Sequence, residues 1–415
     1  MTTEPHGDDA AGADRPRGYA RVLLANGVSN LGDGMLLAAA PLLATQLTDD
    51  PRLVAAVAAA ATLPWLLVAL VSGAVVDRLD RRLLRAVVDL LRAGALGVFA
   101  LAVSLDVVEL WMLAAVVFVI GIGETVADTA AQAMVPQIVP EELRRAANSQ
   151  MEATTLVADR LLGPPLGGAA FVAAATLPFA LDAVSFLVAA ILVASLRGSF
   201  RADEAPARVR LRSDIAEGLR ALFGRPLLAS MTVVVGLWNL LDAMMLAVLV
   251  VYAQRGLDLG DAGYGLLLTA TAFGGLVATA TASRVARVVG DGGALLLALG
   301  LSSVAAAALA LTTSPWIAGA ALALFGWLGV TWNVSAVTLR QELVPGAVLG
   351  RVTAAYRLFS LGALPVGMVL GGLLARLSIR VPYATAAVGS LVLALVAVPR
   401  LGNAAVAGAR AREQA

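Results

Sequence analysis

The residues of this chain that could do chemistry are carboxylates and arginines set inside long apolar runs. Asp33 lies twelve residues beyond Arg21, roughly 18 Å along a helix at about 1.5 Å per residue. Ser29, Asn30, Gly32 and Gly34 surround it with polar and small groups. A carboxylate so deep in apolar surroundings can exchange a proton or attract a cationic solute. The same position also fits a packing aspartate satisfied by a neighbour. Asp159 and Arg160 are adjacent, so they leave a helix in different directions and each calls for a partner elsewhere. Asp242, beside Trp238 and Asn239, is the corresponding candidate in the second half of the chain. Asp89 and Arg92 stand three apart and are expected to satisfy each other. Asp182 is expected near a helix end, within reach of water. Arg357, next to Tyr356, calls for a buried acid. Trp327, Trp332 and Asn333 could line a cavity, although packing is the simpler role for the tryptophans.

A second group is a short charged loop, Gly73-Ala-Val-Val-Asp77-Arg78-Leu79-Asp80-Arg81-Arg82-Leu83-Leu84-Arg85. It separates two apolar runs and cannot itself sit in hydrocarbon. A third is Gly163-Pro164-Pro165-Leu166-Gly167-Gly168. Proline removes a backbone donor and kinks a helix, and small residues let a neighbouring helix come close.

Several chemistries are excluded. The chain has no cysteine and a single histidine, His6 in a polar tail. Disulfide and thiol chemistry, metal centres built on His or Cys, and a histidine proton relay are all absent. All thirty basic residues are arginine. Without lysine there is no phosphate-binding Gly-x-x-x-x-Gly-Lys loop. No enzymatic constellation and no cofactor is expected, and no nucleic-acid partner.

The elements that must hold these residues follow from composition. Of 415 residues, 60% are hydrophobic and 14% charged, and mean hydropathy is +0.85. Soluble domains run at about 45–50% apolar and about 25% charged. Stretches of the roughly 20 apolar residues that cross a bilayer recur throughout. They predict an all-α integral membrane fold of twelve transmembrane helices. The spans run over 20–45, 53–76, 83–105, 108–134, 142–172, 177–196, 226–252, 262–284, 293–312, 315–339, 347–375 and 381–399. The polar N-terminal residues lack the pattern of a cleaved signal peptide.

Arginine placement orients the chain. With both termini on one side, that side holds 23 arginines, Arg340 and Arg351 among them. The other side holds four: Arg52, Arg255, Arg376 and Arg380. Positive residues favour the cytoplasmic side, so both ends are expected there. Val139-Pro140 before Arg144-Arg145 is echoed by Val344-Pro345 before Arg351, and each leads into a Gly/Pro-rich span. The expected organisation is a tail (1–19), a six-helix bundle (20–197), a linker (198–225), a second six-helix bundle (226–400) and a second tail (401–415). Leu211, Ile215, Leu219, Leu222 and Phe223 recur at helical spacing in the linker, which predicts an amphipathic helix on the membrane surface.

The charged loop resembles the Gly-x-x-x-Asp-Arg-x-Gly-Arg-Arg signature of the major facilitator superfamily of secondary transporters. Asp80 stands where that family has its second glycine. Ile215-Ala-Glu217-Gly218-Leu219-Arg220 before Pro226-Leu227 resembles the linker of one bacterial branch, which holds enterobactin-exporter-like and macrolide-efflux-like proteins. The resemblance implies two pseudo-symmetric six-helix bundles with a small-molecule site between them, worked by alternating access. It implies a conformational latch of Gly73, Asp77, Arg78, Arg81 and Arg82. Asp77 would dock near Gly350-Arg351 at the start of the eleventh span, and the arginines would pair with Glu124 or Asp128 on the fourth. Gly163, Pro164, Gly167 and Gly168 resemble an antiporter motif, although Asp159 replaces its earlier glycine. The implied activity is proton-coupled export of a small apolar or amphiphilic molecule by a monomer, with Asp33, Asp159, Arg160 and Asp242 in substrate or proton coupling. Import of a nutrient or lysolipid-like solute on the same fold is the alternative.

Overall fold

The computed structural model describes residues 17–76, 78–198, 200 and 211–414. Asp77 and residues 201–210 of the linker lie outside the described residues. The first half holds α1 (Arg17–Leu47), α2 (Pro51–Val76), α3 (Arg81–Ser104), α4 (Leu110–Ile138), α5 (Glu141–Thr155), α6 (Gly163–Ala173) and α7 (Leu177–Ala194). The linker helix is α8 (Leu211–Phe223). The second half holds α9 (Pro226–Leu246), α10 (Leu249–Gly256), α11 (Asp261–Val289), α12 (Asp291–Leu311), α13 (Pro315–Leu343), α14 (Gly346–Gly362), α15 (Leu364–Ala375) and α16 (Val381–Leu401), followed by α17 (Asn403–Gln414).

Among the described residues, eleven helical segments are long and apolar enough to cross a membrane. The fifth crossing is composite: α5, a π-helical turn over Leu156–Leu162, then α6. Twelve crossings result. The π turn has a local cause. Pro164 and Pro165 lack backbone donors, so the preceding turn cannot close its usual ladder. The Gly163 N–H reaches back to the Ala158 carbonyl instead. The seventh and eleventh spans also break. One breaks at Ala247–Val248, between α9 and α10, and the other at Ala363, just ahead of Pro365. Asp80 starts α3 by accepting hydrogen bonds from the Arg82 and Leu83 N–H groups, the usual role of an N-cap carboxylate.

Large apolar side chains point away from the bundles, among them Trp316, Leu311, Leu377 and Val98. In water this would be a liability; here it is the lipid-facing surface of a multi-pass membrane protein.

The interior differs between the two ends. At the arginine-poor end one apolar cluster runs through both halves, from Leu36–Leu43 and Phe179 to Val248–Tyr252 and Tyr383. At the arginine-rich end it divides into a first-half cluster around Tyr19, Met134 and Val193 and a second-half cluster around Met231, Leu299 and Leu339. The halves are therefore joined at one end and parted at the other. The joint has two seams, α2 against α15 and α6 against α11. Thr62 donates to the Met368 sulfur in the first. In the second, a Cβ on Gly168 would lie 2.9 Å from the Asp261 carbonyl oxygen, so only glycine permits this approach. Asp49 and Arg255 form an ion pair across the halves at 2.5 Å. In the same α1–α2 loop, hydrogen bonds from Arg52 hold the Asp50 carboxyl down at about 2.

The linker helix departs from expectation. Leu222 is fully buried with the second-half cluster, and Phe223 meets Phe359 edge-on at 5.3 Å. Glu217 pairs with Arg351 at 2.7 Å. Part of its apolar face is spent on protein because α14 begins directly beneath it, rather than all of it on lipid.

Candidate functional site

Where the halves part, a cavity of about 800 Å³ opens. It extends from Asn239 and Asp242 at mid-depth to Gln341 and Leu349 near the arginine-rich end. Its walls are chemically unlike.

The first-half wall is backed by an ionic network. Arg92 on α3 is 2% exposed and reaches Asp33 on α1 at 2.5 Å. Its other nitrogen lies 3.8 Å from Asp89, and Asp89 lies 3.6 Å from Arg85. Arg92 also stacks on Phe186 at 3.8 Å. Glu124 and Asp182 are further electrostatic neighbours of Arg92, and Asp128 and Asp159 of Asp33. Six carboxylates thus share three guanidinium groups, counting Arg160, which pairs with Asp159 at 2.7 Å. The elements explain the convergence. Glu124, Asp128 and Gln132 repeat every four residues on α4 and so share one face; Gln132 itself lines the cavity. Gly123 lets the Arg92 stem pass, since a Cβ there would lie 2.6 Å from its Cδ.

The second-half wall is aromatic. Trp238 and Trp332 lie 5.5 Å apart, and the Trp332 indole donates to the Tyr356 hydroxyl at 3.2 Å. Arg340 stacks over Tyr356 at 3.9 Å. Arg357, Asn333 and Asp242 complete the polar lining. Asn239 donates to the Ser360 carbonyl at 2.8 Å, tying α9 to α14.

Several expectations need correction. Arg92 is held by Asp33 more closely than by Asp89, because α1 brings a carboxylate across the bundle that spacing along α3 cannot reveal. Asp159 and Arg160 do pair with each other: the long arginine folds back beside the widened π turn. Asp182 is fully buried and accepts from Ser185 at 3.0 Å, because it faces α1 at Gly32. Arg357 meets no carboxylate among the described residues. Trp327 bonds Thr281 at 2.9 Å, while Trp332 and Asn333 line the cavity.

The latch residues are spread out. Asp77 is outside the described residues. Gly73 falls in α2 and Arg78 is exposed, while Glu124 has Arg92, and Asp128 has Arg85 and then Arg92, as electrostatic neighbours. Arg81 donates to the Ala133 carbonyl at 3.1 Å and Arg82 to the Leu196 carbonyl at 2.6 Å. Of the motif on α6, Gly163 and Gly167 press against the α1 backbone at Gly34 and Met35, and Gly168 faces α11. Pro164 meets α11 through Gly265.

Two joined bundles with a cavity between them, open at one end, define a multi-pass membrane transporter of the major facilitator superfamily, a protein that moves a small molecule and is not an enzyme. Within that superfamily the chain belongs to the transmembrane secretion effector family, which matches residues 15–410. It is 28% identical over 403 residues to the multidrug efflux pump Tap of Mycolicibacterium fortuitum, covering 92% of this chain and 95% of that protein. It is 27% identical to the enterobactin exporter EntS of Citrobacter koseri, covering 79% and 77%. The nucleoside transporter NupG shares the fold with a TM-score of 0.75 at 10% identity, covering 92% of this chain and 99% of that one. A bacterial homologue of the iron transporter ferroportin, in an inward-facing state, does so at 0.72 and 18%, covering 95% and 99%.

Proposed function

We propose that this chain exports a small amphiphilic molecule in exchange for protons, acting as a monomer in a bacterial cytoplasmic membrane. The observation that carries the reading is the surplus of carboxylates over arginines behind one wall of the central cavity. Three of the six carboxylates have no guanidinium of their own among the described residues. A buried, unpaired carboxylate is costly, so each must take up a proton or face a cation. The relatives named as an efflux pump and an exporter support the outward direction.

Placing the arginine-rich face in the cytoplasm, as charge bias requires, makes the present arrangement inward-open. Asp33 is the proton carrier. Ionised, it holds Arg92; protonated, it frees Arg92 for Asp89 and Glu124. The two pairings give α1 two positions relative to α3 and α4, and α1 also packs on α6 at the seam. Proton binding thereby biases which face is closed, as differential binding to two states requires. Asp159 and Arg160 stand at the π turn, where such a shift can be absorbed. Asp242 meets the substrate on the opposite wall. The charged loop with Asp77, Arg78, Arg81 and Arg82 serves as a latch at the start of α14 that holds the cytoplasmic face closed.

The test is a paired metabolite profile of cells with and without the chain. A compound retained inside the deletion strain supports export and identifies its class. A compound left unused in the medium overturns export in favour of uptake.

A further inference from the structure

Arg340 and Arg357 bring positive charge to the cavity with no carboxylate among the described residues paired to either. Arg340 is 6% exposed, and its Nη1 makes no hydrogen bond. Arg357 is an electrostatic neighbour of Arg340, so two like charges occupy one wall. Asp242 shares the cavity but has no arginine among its electrostatic neighbours. Trp238, also 6% exposed, lines the cavity with an indole N–H that has no acceptor. Two donor atoms in one wall, the Arg340 Nη1 and the Trp238 indole nitrogen, thus lack acceptors among the described residues.

Depth arranges the two arginines in order. Arg340 is three residues from the end of α13, about 5 Å at 1.5 Å per residue, and Arg357 is eleven from the start of α14, about 17 Å. Together they lead from the open mouth toward the middle of the protein. Burying the Arg340 cation without a counter-ion is costly, and an arginine fork matches flat oxyanions such as carboxylate or sulfonate. The faces of Trp332 and Trp238 beside them suit an aromatic ring. On the opposite side Trp65 and Gln132 line the cavity, and the surplus carboxylates lie behind them.

We infer that the second-half wall is a subsite for the anionic end of an aromatic substrate, with Arg340 and Arg357 taking the oxyanion and Trp238 and Trp332 the ring. The inference rests on the reading of the chain as a transporter with a central substrate cavity. It does not rest on direction or proton coupling.

The test is equilibrium binding to the full chain in nanodiscs of neutral phosphatidylcholine. Three ring-matched probes serve: 2-naphthalenesulfonate, 2-naphthalenemethanol and the permanent cation (2-naphthylmethyl)trimethylammonium. The sulfonate is expected to bind roughly tenfold or more tighter than the other two, the scale of one charge-assisted contact. Arg357→Gln, which is exposed and tolerant, should abolish that preference, and Arg340→Gln should do the same. Arg357→Lys should retain most of it. Equal or tighter binding of the alcohol or the cation overturns the inference. So does an undiminished sulfonate preference in both glutamine variants with unchanged melting. Because binding at equilibrium needs no gradient, failure of proton-coupled export would leave the anion preference standing. Failure of the preference would leave gradient-driven transport intact.

Discussion

The two halves share one plan of helices and differ in what they bury. The first half encloses a dense ionic network, in which Arg92 touches Asp33 and Phe186 and Asp89 lies between two arginines. The second half presents an aromatic wall whose charges, Asp242, Arg340 and Arg357, stand without ionic partners among the described residues. A network of mutual partners holds a structure and can switch between pairings. Isolated charges on a cavity wall await something from outside. On the function proposed above, the first half carries energy coupling and the second half substrate recognition.

The sharpest way to break this contrast is to remove the hub of the network. Arg92→Leu leaves several buried carboxylates unpaired and should cost about 3–5 kcal/mol, read as a collapse of the melting temperature in detergent. Adding Asp33→Asn to that variant should recover part of the loss. If Arg92→Leu melts like the parent, the network is not structural.

Next in size is the seam that joins the halves. Gly168→Leu should overfill the approach of α6 to α11 and cost about 1–3 kcal/mol. It should also open the arginine-poor face. The chain contains no cysteine, so spin labels placed at Leu105 and Leu311 should report a longer distance across that face. An unchanged distance distribution would remove the seam from the account.

A smaller effect separates the two carboxylate candidates. Asp33→Asn breaks the contact to Arg92 and should cost about 1.5–3 kcal/mol. Asp242→Asn removes a charge without a partner and should leave melting equal or higher. Equal losses would erase the distinction between the halves. Smallest of all, Arg357→Gln should shift stability by no more than about 0.5 kcal/mol, against the large effect at Arg92.

Much of the architecture was legible in the amino-acid sequence. Twelve crossings follow from apolar length, and the Pro164-Pro165 and Pro365 breaks follow from missing donors, although the π turn and the division of the seventh span do not. Side-chain partners were less legible, because spacing along one helix says nothing of neighbours brought from another. Asp89 therefore looked sufficient for Arg92, and the neighbour that could satisfy Asp33 could not be named. Gly123 was the available signal: a glycine one position before the half-buried Glu124 leaves room for the Arg92 stem to pass. Arg340 was assigned to the charged boundary because arginines cluster there. The structure places it on the inner wall of α13, where stacking on Tyr356 covers its apolar face. Asp182 was read as reaching water from a helix end, yet it faces Gly32 on α1 and is sealed.

The most direct test of the central claim uses the compound that the metabolite profile identifies, in everted membrane vesicles that carry the parent chain or Asp33→Asn. Uptake is followed while nigericin collapses the pH gradient. The account predicts uptake by the parent that stops with the gradient, and no gradient-dependent uptake by Asp33→Asn. Uptake that continues unchanged after collapse, or full coupled uptake by Asp33→Asn, would contradict it.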